Sequence, residues 1–275
     1  MGPIGKTTKL INGVRMPSIG MGTWQVPEKE AADAVSQAVN LGYRLIDTAA
    51  VYKNEKGVGE GIKKSRIARE QVFVSTKLWN EDIRRGTAER GFVDSLNKME
   101  LAYLDLYLIH WPVPGKYVDA WKTLVKLYEE KRVRAIGVCN CKVHHLKELA
   151  EASGMMPMVN QIELHPLLSQ KEVVNFCHQN NIAIQAYSPL MHGREQMQDP
   201  LFCSIAQKHG CTPAQVILRW HLQNGVCVIP KSVNALRQKE NLALYHFELD
   251  EDDMARIDAF NQNQRFLADP DNFDF

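Results

Sequence analysis

Short apolar runs alternate with longer amphipathic stretches along most of the chain, the pattern of repeated strand–helix units. The runs predict strands at Ser18–Gly22, Arg44–Asp47, Val72–Thr76, Leu104–Ile109, Arg134–Val138, Val159–Ile162, Ile182–Ala186 and Val226–Ile229. Each is short and mostly apolar, as strands covered on both faces must be. Between and after them, a helical period predicts helices at Glu28–Leu41, Asn54–Lys63, Thr87–Met99, Tyr117–Glu130, Val143–Ala152, Lys171–Asn180, Pro213–Gln223 and Asp250–Phe260. Pro213 suits a first helical turn, where its missing N–H is no loss, and Asn234 suits the cap of a further short helix that starts after it. Before the repeats, Thr8–Met16 reads as a hairpin, with Asn12-Gly13 fitting a type I′ turn.

Eight strand–helix pairs predict an α/β fold, a (β/α)₈ TIM barrel with an N-terminal β-hairpin, in one domain over residues 1–275. The rival is an open doubly wound sheet, which usually announces its nucleotide site with a glycine-rich first turn. Gly20-Met-Gly22 lacks the third glycine of that turn, and there is no Walker sequence. Gly57-Val-Gly59-Glu-Gly61 falls inside a helical pattern and reads as a close packing contact.

Composition narrows the function. Of 275 residues, 45% are hydrophobic and 24% charged, and 33 basic against 32 acidic residues leave a formal charge of +1. That balance gives no electrostatic footing for nucleic-acid or membrane-surface binding. The first ten residues lack the apolar core of a signal peptide. Gly2 as a myristoylation site is disfavoured by Pro3 and by Lys6 where a hydroxyl is expected. Residues 1–138 hold no cysteine, unlike a disulfide scaffold, so reduced thiols and a cytoplasmic location are expected.

Barrel chemistry collects at the C-terminal ends of strands. Asp47 closes the second predicted strand and Tyr52 follows in its loop, while Lys77 and His110 close the third and fourth. Each has an ordinary reading: a helix cap, a packing aromatic, a solvated lysine, a core histidine. Together they have a chemical meaning. Hydride addition to a carbonyl develops negative charge on oxygen, which then needs a proton. An ammonium beside a phenol favours the phenolate, so Lys77 is expected to make Tyr52 a stronger acid. Asp47 would hold Lys77 charged, and His110 would donate a hydrogen bond to the carbonyl oxygen.

The residues Asp47-Thr-Ala-Ala-Val-Tyr52, Thr76-Lys77 and Leu108-Ile-His110-Trp-Pro112 resemble the catalytic tetrad segments of the aldo-keto reductase family, and the similarity spans essentially the whole chain. The short-loop members, such as 2,5-diketogluconate reductases and microbial or protozoan prostaglandin F synthases, are the most alike. The resemblance implies NADPH-dependent carbonyl reduction without a metal, with Tyr52 as general acid, Lys77 and Asp47 as its tuning pair, and His110 orienting the carbonyl. Asn140 and Gln161 match the residues that bond the nicotinamide carboxamide, and Tyr187 the aromatic that stacks on its ring. Lys231, Ser232 and Arg237 match residues around the 2′-phosphate, Glu240 and Asn241 those at the adenine, and Ser188 and Leu190 those near the pyrophosphate, with His192–Pro200 forming part of a strap. Gly22, Thr23, Trp24 and Asp47 complete the implied cofactor set. Trp24, Trp79 and Trp111, with Tyr52 and His110, are implied to line the substrate pocket.

One departure stands out. Where the family usually reads Gly-Val-Ser-Asn-Phe, this chain has Gly137-Val-Cys139-Asn140-Cys141. A thiol bonds more weakly than a hydroxyl, so looser cofactor binding is expected. Cys139, Cys141 and His144 also raise a metal reading, which strand alternation disfavours. The short loop Pro112–Tyr117 and short tail after Asn261 predict an open, shallow site, with the tail Asp269–Phe275 either bringing an aromatic over it or docking on the barrel. The partner implied is a small carbonyl compound, with no obligate protein partner. Two other classes stay open: an NADPH-binding regulatory protein with little turnover, and a barrel hydrolase using a metal or paired carboxylates.

Overall fold

The computed structural model describes residues 6–193 and 195–275. Gly2, and Arg194 of the expected strap, lie outside the described residues. The hairpin is formed by β1 (Thr7–Lys9) and β2 (Arg15–Pro17). The parallel sheet follows as β3 (Met21–Gly22), β4 (Leu45–Asp47), β5 (Phe73–Leu78), β6 (Leu106–Ile109), β7 (Ile136–Cys139), β8 (Val159–Glu163), β9 (Ala183–Tyr187) and β10 (Cys227–Val228). These strands are hydrogen-bonded in sequence order. The two edges then meet: Ile19 bridges Val228 and Gly22 bridges Lys231, both parallel, so the sheet closes on itself.

The helices are α1 (Glu28–Leu41), α2 (Glu55–Lys64), α3 (Asn80–Arg85), α4 (Ala88–Met99), α5 (Tyr117–Glu129), α6 (Val143–Ser153), α7 (Lys171–Gln179), α8 (Pro200–His209), α9 (Pro213–Gln223), α10 (Ala235–Leu242) and α11 (Glu251–Asp258). The eight expected from the helical period are present with nearly the expected ends. Pro213 opens α9 behind a Thr212–Gln215 capping box. α3 and α8 went unpredicted. α3 is short, and α8 is announced by Asp199-Pro200, where the Asp199 side chain accepts from the Leu201 N–H, a cap-plus-proline signal at the end of the segment expected as a strap.

The hairpin turn differs from expectation. Gly13 has φ +88, but Asn12 is not among the residues with positive φ, so the turn is not type I′. Gly13 N–H donates to Leu10 O (2.8 Å) and Leu10 N–H to Val14 O (2.8 Å), a three-residue loop with the glycine in the left-handed region. Asn12 is engaged otherwise: its side chain accepts from Val14 N–H (3.1 Å) and donates to Arg134 O (2.9 Å). Thr8 meets Ser18 and Cys227, so the hairpin lies across the N-terminal mouth of the barrel, with Leu10 and Met16 buried. Chemistry is left to the opposite mouth.

The glycine run of α2 makes the close contact expected of it. A Cβ on Gly59 would stand 2.1 Å from the backbone oxygen of Met99, and one on Gly57 2.7 Å from that of Glu28. α2 therefore lies directly on α1 and α4. Gly59→Ala should lower stability by about 1–3 kcal/mol, the usual cost of overpacking, seen as a drop of several degrees in thermal midpoint. An unchanged midpoint would mean that α2 is not held this closely.

Candidate active site

The β4–β5 register sets Asp47 opposite Ser75, so Lys77 points into the barrel beside Asp47. Both are buried. Lys77 Nζ donates to Asp47 Oδ2 (2.6 Å), Thr48 O (2.8 Å) and the Tyr52 hydroxyl (3.4 Å), which occupies all three ammonium hydrogens. Asp47 Oδ1 accepts from Ser75 (2.8 Å) and Gln161 (2.9 Å). Tyr52 sits on a single 3₁₀ turn, Ala50–Tyr52, ended by Lys53 at φ 55. The His110 ring meets the Tyr52 ring at 5.7 Å and the Trp79 ring at 5.2 Å, edge to face in both. The four groups therefore converge.

They border a cavity of about 810 Å³. Asp47, Tyr52 and His110 line it, whereas Lys77 is wholly buried and reaches it through Asp47 and Tyr52. Asn140, Gln161 and Tyr187 line it as well, beside the tetrad: Gln161 bonds Asp47 and Asn140 bonds His110 O. Asn140, at φ 61, donates to His110 O (2.9 Å) and accepts from the Tyr187 hydroxyl (2.6 Å). Gly22, Thr23, Ser188, Leu190, Lys231, Ser232, Arg237, Glu240 and Asn241 line the remainder, as do Trp24, Trp79 and Trp111. Asn234 caps α10 as expected, accepting from Leu236 and Arg237 N–H. Buried Gln238 donates to Ser232 O (2.8 Å), pinning that loop. Glu240 also accepts from Thr212 (2.6 Å).

Charge at the site follows burial more than expected. Burial pushes the Tyr52 phenol up, Lys77 pulls it down, and the net value is about 12. The ammonium acts in the predicted direction, but desolvation outweighs it, so Tyr52 is not a stronger acid than a free tyrosine here. Burial alone would depress Lys77; Asp47 and Tyr52 more than compensate, and its pKa rises. Burial, then Lys77, hold His110 well below the usual imidazole range. Cys139 is pushed up by burial and lines the cavity beside Asn140, while His144 is exposed and faces Asp271 (3.2 Å).

Sequence reasoning missed the rim. Glu163, buried at the end of β8, accepts from the Phe266 (2.6 Å) and Leu267 (3.2 Å) backbone N–H groups and bonds His165 (3.1 Å). Lys142 grips Asp269 and Asp271, each at 2.7 Å. The tail is thus drawn over the mouth. Leu267 lines the cavity, Phe273 packs on Trp111 at 5.0 Å, and Phe275 stacks on Trp79 at 6.2 Å. Of the two fates expected for the tail, it takes both, and Trp111 is nearly buried rather than openly presented. A carboxylate at the end of a predicted strand was the available signal for Glu163, as it was for Asp47.

A model of the Aldo/keto reductase family matches residues 18–262. The chain is 49% identical to the glyoxal reductase of Bacillus subtilis, over 98% of each chain. It is also 49% identical to the 9,11-endoperoxide prostaglandin H2 reductase of Trypanosoma cruzi, over 96% of this chain and 94% of that one. A crystal structure of a Gox0644 point mutant in complex with NADPH superimposes with a TM-score of 0.94 at 43% identity, covering 99% of this chain and all of the other.

His110 should stay neutral at about pH 6, where an ordinary histidine is half charged. An NMR titration of the imidazole C–H signals, assigned with a His110→Gln variant, checks this. A His110 signal titrating near the usual value would contradict the burial argument.

Proposed function

The chain belongs to the aldo/keto reductase family, and we propose that it reduces small aldehydes and ketones with NADPH, using Tyr52 as proton donor. One observation carries this: a phenol held by a buried Lys77–Asp47 pair opens onto a cavity that Lys231 and Arg237 also line. The donor set fits the cofactor. Asn140 and Gln161 offer amide groups for a carboxamide and Tyr187 a ring for stacking, at the end near Tyr52. Lys231, Ser232 and Arg237 offer cations and a hydroxyl for a 2′-phosphate, and Glu240 and Asn241 stand beside them for the adenine. NADPH supplies the hydride when bound.

The chain's own residues do the rest. Neutral His110 donates a hydrogen bond to the carbonyl oxygen, and Tyr52 releases its proton to that oxygen as charge develops there. Because burial raises its pKa, Tyr52 keeps its proton until negative charge develops on the substrate oxygen. Lys77 then stabilises the phenolate left behind, and Asp47 keeps Lys77 charged and in place. Trp24, Trp79, Trp111 and Leu267 give the substrate side an apolar wall that keeps water from the reacting carbonyl. No helix among the described residues is long and apolar enough to cross a membrane. The six free thiols suit a reducing compartment, and we place the protein in the cytoplasm.

Turnover of glyoxal, methylglyoxal, an aromatic aldehyde and prostaglandin H2 with NADPH and NADH tests the proposal. Reduction of none of them with either cofactor would end it. Tyr52→Phe should cut carbonyl turnover by about 10²–10⁴-fold while NADPH still quenches tryptophan fluorescence at nearly the same concentration. Lys231→Ala should weaken NADPH by about tenfold or more and NADH far less, because it removes a charge-assisted phosphate contact. Equal losses for the two cofactors would remove Lys231 from the phosphate site.

A further inference from the structure

Gln161 and Gln185 stand opposite each other in the β8–β9 register, with both side chains buried. Gln161 Nε2 lies 2.9 Å from Asp47 Oδ1 and 2.6 Å from Gln185 Oε1. Both neighbours accept, so both amide hydrogens of Gln161 are committed. Turning that amide over would set its oxygen against a carboxylate and a second amide oxygen. Oε1 is therefore the atom that Gln161 has left to offer the cavity it lines.

Asn140 is polarised the opposite way. Its oxygen accepts from Tyr187 and its Nδ2 donates to His110 O, which leaves one N–H. The cavity floor thus presents an ordered pair, a donor on Asn140 and an acceptor on Gln161. A primary carboxamide, with one C=O and one NH₂, matches that pair in one orientation.

Gln185 does not line the cavity. Its Nε2 is buried with no partner among the described residues, a cost that an aliphatic side chain would not carry. Flipping Gln185 would not relieve it, because two NH₂ groups would then face each other. The unpaired nitrogen is the consequence of keeping the oxygen on Gln161.

We propose that Gln185 is a positioning residue that fixes the polarity of Gln161, so that the site reads the NH₂ of a carboxamide rather than any acyl group. Asp47 engages only one hydrogen of Gln161. Without an acceptor at position 185 the other hydrogen loses its buried partner, and Gln161 gains reason to turn toward the cavity. The inference rests on the nicotinamide cofactor proposed above.

The test compares equilibrium binding of NADP⁺ and its 3-acetylpyridine analogue, whose methyl group replaces the NH₂, by tryptophan fluorescence quenching. Wild-type protein should prefer NADP⁺ by about tenfold, roughly one charge-free hydrogen bond. Gln185→Met, which keeps length and volume, should shrink that preference to about twofold. Gln185→Glu, which keeps an accepting oxygen, should retain it. In a Gln161→Met background, Gln185→Met should change the preference no further, which separates positioning from a general loss of packing. A full wild-type preference in Gln185→Met overturns the role of Gln185 and leaves the cofactor reading intact. Absence of NADP⁺ binding by wild-type protein overturns both.

Discussion

Everything at the catalytic mouth hangs on one buried ion pair. Lys77 and Asp47 are almost wholly removed from water, a burial that costs several kcal/mol per ion unless each is fully hydrogen-bonded. Here each is. The three ammonium hydrogens reach Asp47, Thr48 and Tyr52, and the Asp47 oxygens take Lys77, Ser75 and Gln161. Asp47 is thereby shared between the proposed proton donor and the proposed nicotinamide cradle. A disturbance of that carboxylate reaches both, so losses of chemistry and of cofactor binding at position 47 are expected to be inseparable.

The same burial explains the charge states around it. Desolvation pushes Tyr52 up and His110 down, and each is left neutral. Lys77 stays cationic because Asp47 offsets its burial. The cluster therefore holds one internal ion pair and two neutral polar groups facing the cavity. In the proposed reaction, new charge arises on the substrate oxygen, where the two neutral donors can meet it. The lysine's value lies less in acidifying the resting phenol than in receiving the phenolate.

The rim is organised by a second buried carboxylate. Glu163 binds two successive backbone N–H groups of the tail, and Lys142 binds two of its aspartates. Those contacts place Leu267 in the cavity wall and set Phe273 and Phe275 on the tryptophans. A loop has no regular ladder of its own, so polar anchors of this kind must satisfy its backbone. The apolar wall is then a joint product of barrel loops and tail.

By itself the sequence determined the repeat count, the helices with strong period and caps, and the four residues at the strand ends, because these signals are local: periodicity, proline and capping residues, and the position of a polar group after an apolar run. The glycine run of α2 was legible for the same reason. The hairpin turn was not, since Asn12 serves Arg134, far away in sequence, rather than the turn type its dipeptide favours. Tertiary structure alone decided that β3 and β10 meet, that the tail crosses the mouth, and that Tyr52 is raised rather than lowered. Those outcomes depend on how far water is excluded and on which distant groups face each other, and neither quantity exists until the chain has closed.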